Sequence, residues 1–167
     1  MNVHQLLAKE IENRIIECGI HRIISCLQKL DDDHLYYRPN KNSNSINNQV
    51  LHLDGNVRQW LISTMSETED HRKRDSEFDF ENKKSKPELI SILNKLEDDI
   101  HVVLPNILNI DLTQAQSVQC YTELNLSIII HVLEHFSYHV GQITYITKML
   151  LDIDTGYYAG LELDKTS

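Results

Sequence analysis

The sequence predicts an all-α protein, a four-helix bundle with a long loop between its second and third helices. Three observations lead there. Apolar residues recur at three- and four-residue intervals through four separate segments. Clusters of Asn, Ser, Pro and charged residues separate those segments. A chain of 167 residues is the size of one ordinary domain with a core of its own, so a single unit over residues 1–167 is expected.

The first helix is expected from about Val3 to Leu30, where Leu7, Ile11, Ile15, Cys18, Ile23 and Leu27 mark one face. Gly19 weakens its middle without requiring a break. The stretch LDDDHLYYRPNKNSNS, with Pro39, punctuates. Ser45 is the expected N-cap of a second helix to about Thr64, with Ile46, Val50, Leu53, Val57 and Trp60 on its apolar stripe. Residues 66–86 form a charge-dense loop broken only by Phe78 and Phe80, long enough to be functional. Ser85 and Glu88 have the capping-box spacing for a third helix, Pro87 is tolerated in its first turn, and Pro105 is expected to end it near Val103. Residues 106–124 are ambiguous, with SVQCYTEL as a short extended piece. Asn125 is the expected cap of a fourth helix to about Leu150, and DTGYYAGLELDKTS follows as a tail or packed coil.

Composition narrows the function classes. Apolar residues at 41% and charged residues at 25% describe a globular protein. A net charge of -9 argues against nucleic acid and against an anionic membrane surface. Three cysteines, Cys18, Cys26 and Cys120, make no C-x-x-C pair and no disulfide framework, which points to a reducing cytoplasm. MNVHQLLAKE lacks the apolar core of a signal peptide, and no apolar run approaches the roughly 20 residues of a membrane span. The sequence shows no internal repeat, Gly-rich phosphate loop or G-x-S-x-G elbow.

The chemistry is in the last helix, SIIIHVLEHFSYHVGQITYITKML. Its best apolar stripe reads Ile128, Val132, His135, His139, Gln142, Ile146 and Met149, which puts two imidazoles in a bundle seam. Buried imidazoles need partners. Positions i and i+4 suit two ligands on one divalent ion, with Gln142 as a hydrogen-bonding support. The alternative is a pair of hydrogen-bonded core histidines. A rival pair, His131 and His135 around Glu134, matches H-x-x-E-H, but His131 lies at the stripe's edge and no distant acidic ligand is evident. His52 lies on a polar line of the second helix with Ser45, Gln49, Asn56 and Gln59. That line is either a solvated face or the border of a polar pocket.

The segments NSINNQVLHLDGNVRQW and RKRDSEF, followed by HFSYHVGQI, resemble the DinB/YfiT-like superfamily, and more narrowly an uncharacterised subfamily of it. The resemblance implies a four-helix bundle with a three-histidine site, commonly for nickel or zinc, manganese and iron being further possibilities. It carries the ligand roles onto His52, His135 and His139, not onto His131; Asn56 and Gln142 are further candidates, as hydrogen-bonding supports. Three histidines leave the ion an open position. Related members resemble transferases of a low-molecular-weight thiol such as bacillithiol or mycothiol, so thiol transfer to a small electrophilic substrate is the leading expectation. The alternatives are a metal-dependent hydrolase and a non-catalytic metal-binding or dimeric scaffold; a homodimer is expected. Glu134 is a candidate proton carrier, and Tyr138 a candidate donor to a developing anion. Arg72 and Arg74 are candidate contacts for a carboxylate-bearing thiol, against the simpler reading of salt bridges with Asp75 and Glu77.

Overall fold

The apolar spacing of residues 3–29 is realised as one continuous helical rod, α1. It starts as Val3–Ile11, widens to i→i+5 turns over Glu12–Ile20 and closes as His21–Lys29. The computed structural model describes residues 1–165. Gly19 lies in the widened stretch, and its missing side chain has a use there. A Cβ at Gly19 would sit 2.6 Å from Phe136 Cε1 and 2.9 Å from the Arg14 carbonyl, so only glycine lets the Phe136 ring press onto the backbone of α1.

The second rod, α2, comprises Ile46–Val57, a further widened stretch Arg58–Ser63, and Thr64–Ser66. Ser45 caps it as the spacing predicts: its side chain accepts from Asn48 N at 3.2 Å. Glu67, with φ 53°, closes it in the left-handed conformation. The helix α3 spans Lys86–Ile107 behind the expected Ser85–Glu88 capping box. It outruns the expected end at Val103, because a proline in a last turn forfeits only one backbone bond. Buried Ile107 and the Asn106 side chain, which donates to the Met65 carbonyl at 3.0 Å, hold that turn.

The ambiguous segment becomes a hairpin, β1 Ala115–Val118 and β2 Tyr121–Leu124, antiparallel with Val118 opposite Tyr121. The protein is therefore mostly helical with a small two-stranded sheet, not purely α. Gln119 takes φ 55° in the two-residue turn, as a tight hairpin demands. The helix α4, Asn125–Leu151, follows at once. Its start corrects one expectation: no side chain caps it. Buried Asn125 instead donates to the Asp111 carbonyl and accepts from Gln116 Nε2, both at 2.8 Å.

The rods α1 and α2 each pack against both α3 and α4. Their apolar faces form one cluster that includes Ile15, Ile20, Leu53, Leu61, Leu93, Ile100, Phe136 and Ile143. On α4 the buried line runs through Val132, Phe136, Val140, Ile143 and Thr147. It is rotated from the expected stripe, whose Met149 is 47% exposed. At about 100° per residue, His139 and His135 stand roughly 60° and 100° from the centre of the true core line. They therefore face sideways, toward α2. Tyr157 in the C-terminal segment is half-buried, its hydroxyl 3.0 Å from Cys26 Sγ, so that stretch packs onto α1. The last two residues of the tail lie outside the described residues. Among the described residues, no helix is long and apolar enough to cross a membrane.

Candidate metal centre

Three histidines meet where α2 and α4 face each other. His52, His135 and His139 each place a ring nitrogen within 4.8 Å of the other two. The closest pair is His52 Nε2 and His135 Nε2, 2.9 Å apart. His131 is outside this group. Its ring lies against Trp60 with centroids 4.1 Å apart and stacks along the helix on His135 at 5.4 Å. The geometry thus brings together the three residues expected as ligands and leaves His131 of the H-x-x-E-H pair outside the group.

The polar line of α2 is buried and not solvated: Gln49, His52 and Asn56 are 2%, 7% and 4% exposed. What covers it is α4, through His135 and His139, together with the 66–86 loop over His52. Within that loop a single helical turn, Arg74–Glu77, folds the Glu77 carboxylate inward over Gly55. A Cβ at Gly55 would collide with Glu77 Oε1, so this approach also needs glycine. Asn48 Nδ2 donates to the Glu77 carbonyl at 2.9 Å and anchors the turn.

Glu77 organises the site electrostatically. Its Oε2 lies 2.8 Å from His52 Nδ1, and Arg72 donates to both carboxylate oxygens, Nε to Oε1 at 2.6 Å and Nη2 to Oε2 at 2.8 Å. Arg72 Nη2 also stands 3.1 Å from His52 Nδ1. A guanidinium cannot accept, so the carboxylate must be the acceptor for both groups. His52 Nδ1 therefore carries the proton, and its Nε2 lone pair is free toward His135. Burial alone would raise the Glu77 carboxyl pKa, but hydrogen bonds from Arg72 and His52 outweigh it and hold the group below its ordinary value.

His135 and His139 are kept neutral. His135 is pushed down to about 3, first by burial and then by the repulsion a second proton would meet among His139, His52 and His131 and beside Arg72. His139 falls to about 4, by burial and then His52, with Gln142 acting weakly in the opposite sense. His139 Nδ1 lies 3.4 Å from Gln49 Oε1. Two imidazoles kept neutral, with the Nε2 atoms of His52 and His135 nearly in contact, form with His52 a donor set that a divalent cation satisfies. Nitrogen ligands of one tetrahedral ion stand about 3.3 Å apart, close to the 2.9 Å of the tightest pair.

The remaining candidates fall in different places. Gln142 is half-buried one turn beyond His139 and borders a separate cleft with Gln49. Asn56 Oδ1 is buried, with no hydrogen-bond partner among the described residues. Glu134 is exposed. Tyr138 is 63% exposed, its ring edge-on to His139 at 5.2 Å. Arg72, with a side chain only 3% exposed, is ion-paired to Glu77, whereas Arg74 is exposed and lies over the Phe78 ring at 4.9 Å. Sequence reasoning named Glu77 only as a salt-bridge partner. Its role beside His52 had one available signal, the R-x-R-D-S-E-F run, and nothing in the run says which acid turns inward.

A cavity of about 400 Å³ opens on this centre, with His52 and His135 in its wall beneath the hairpin. A cavity of about 450 Å³ on the far side of Arg72 and Glu77 contains none of the three histidines. The model of one protein family, described as a protein of unknown function (DUF1572), matches residues 11–158. None of the curated proteins matches the chain.

Proposed function

The chain belongs to the DUF1572 family, and we propose that it is a metal-dependent enzyme of the DinB/YfiT-like superfamily, a four-helix bundle holding one divalent ion on His52, His135 and His139. The observation that carries this reading is the convergence of three imidazoles from two helices, all ligand atoms within 4.8 Å. Two of these side chains are kept neutral by burial and by their neighbours. Zinc or nickel suits three imidazoles, and iron or manganese is accepted by the same nitrogens. An ion held by three histidines keeps an open position and lowers the pKa of a thiol or water bound there.

The chain supplies the rest. Glu77 fixes the His52 tautomer, and Arg72 fixes Glu77. The reaction we assign is transfer of a low-molecular-weight thiol to a small electrophilic substrate. A sulfur–carbon bond forms, the leaving group departs with its bonding pair, and the thiol proton passes to solvent. The resemblance of the histidine segments to thiol-using relatives supports this choice, as does a cavity bordered by His52 and His135. The reading includes a homodimer, supported by exposed Ile130, Tyr138, Tyr145 and Met149 on α4. A reducing cytoplasm fits three free cysteines, of which Cys120 is exposed.

The test is turnover. Metal-loaded protein is mixed with bacillithiol, mycothiol or glutathione and a chromogenic electrophile such as chlorodinitrobenzene. A rate that scales with metal occupancy, vanishes in His135→Ala and survives in His131→Ala is the expected result. Loaded protein that consumes no thiol across the panel contradicts the transferase and leaves a metal-binding scaffold.

A further inference from the structure

The helix α4 has a third face besides its core line and its seam with α2. At about 100° per residue, Ile130, Glu134, Gly141, Tyr145 and Lys148 form a stripe on the side away from Phe136 and Ile143. Every member is exposed, and Tyr145 leaves 70% of its surface open. Tyr138 flanks the stripe and is exposed too. Large apolar groups gathered on an uncovered face mark a surface for association.

The stripe is centred on Gly141, where an added Cβ would meet nothing within 4 Å. No packing inside the chain asks for glycine there, and glycine weakens a helix interior. A bare backbone on an outer face does permit another helix to come close.

Charge selects the occupant. Glu134 and Lys148 stand seven residues before and after Gly141, about two turns each way, and so share its face. Among the described residues neither is in an ion pair. Two copies of α4 crossing antiparallel on a two-fold axis at Gly141 set Glu134 of each against Lys148 of the partner subunit. A parallel pairing would set glutamate on glutamate and lysine on lysine, which repel. The antiparallel crossing also brings Tyr145 of the partner subunit to Tyr138, whose ring is edge-on to His139.

We infer that this stripe is the interface of a homodimer, with a second copy of the chain crossing antiparallel at Gly141 and held by two Glu134–Lys148 pairs. The inference rests on the homodimer of the proposed function and gives it a surface and a register. Each copy then shields the Tyr138 side of the other's metal centre.

Sedimentation velocity from low micromolar to near millimolar protein, at low salt, tests the interface. A wild-type dimer is expected. Gly141→Leu should abolish it and leave the fold intact, since the position is open in the monomer and leucine is the better helix former; thermal melting checks the fold. Lys148→Glu and Glu134→Lys should each weaken association about tenfold, because an attraction becomes a repulsion twice per dimer. The double variant, Glu134→Lys with Lys148→Glu, should restore wild-type association, as it does only where these two positions meet across the axis. A wild type that stays monomeric throughout rejects the homodimer and the interface together. A dimer that survives Gly141→Leu, or a charge reversal that the double variant fails to rescue, keeps the homodimer and rejects this interface. Metal content measured on the same samples reads the three-histidine centre independently, so either can fail without the other.

Discussion

Phe136 and His135 are neighbours in sequence, yet they belong to opposite regimes. Phe136 is 1% exposed and packs on Gly19 of α1, in a face built of Val132, Val140 and Ile143. His135 turns the other way, to a polar seam with α2, where it meets His52 and His139, with Glu77 and Arg72 paired behind His52. The first face is held by close packing, which any apolar group of the right shape can supply. The second is held by matched donors and acceptors, and each unmatched group there is a cost. One helix thus spends one side on stability and the other on chemistry.

Substitution should separate the two sides. Phe136→Ala is expected to cost about 3–5 kcal/mol, through the cavity it opens against Gly19; urea unfolding measures it, and metal content per folded molecule should be unchanged. Gly19→Ala should cost about 1–3 kcal/mol even though alanine is the better helix former, because the methyl meets the Phe136 ring. A neutral or stabilised variant would show that the ring can retreat and that the apolar face is less tightly packed than described.

On the polar side the readout changes from stability to affinity. Glu77→Gln should weaken metal retention about 10- to 100-fold in a chelator competition, since a neutral amide no longer fixes the His52 proton on Nδ1. Unaltered retention would reduce Glu77 to a partner of Arg72. Acid acts on the metal-free protein through the same side chains. His135 and His139 titrate near 3 and 4 when folded and near 6.5 when unfolded. Between those values the unfolded chain binds more protons, so the stability present above pH 6.5 is lost as pH falls toward 4. Urea midpoints that stay flat from pH 7 to 4.5 would mean that the imidazoles are more open to water than the packing shows.

The same contrast explains what could be read from the residues alone. On α2 the apolar stripe Ile46, Val50, Leu53, Val57, Trp60 was legible because nothing competes with it, and all five are buried. On α4 apolar residues occur nearly all round, so two stripes one residue apart fit the spacing. The structure selects the one through Phe136 and moves the histidines to its flank. The three-histidine set came from spacing and resemblance, whereas the burial of His52 did not. It depends on a loop residue, Glu77, that is 25 positions away and reaches it only by folding over Gly55. The hairpin was half legible, since four-residue strands carry too little period-two signal to stand against a helical background. Asn125 looked like a cap because a cap is a local device, and its side chain is engaged by Asp111 and Gln116 instead.

Metal content by plasma mass spectrometry, on protein purified without a histidine tag, tests the three-histidine centre most directly. Wild type is compared with His52→Ala, His131→Ala, His135→Ala and His139→Ala, each checked for helical circular dichroism. The expected result is close to one divalent ion per chain in wild type and His131→Ala, and loss of the ion in the other three. A wild type that binds no zinc, nickel, manganese or iron on reconstitution, or a His131→Ala variant that loses its ion with the rest, would contradict it.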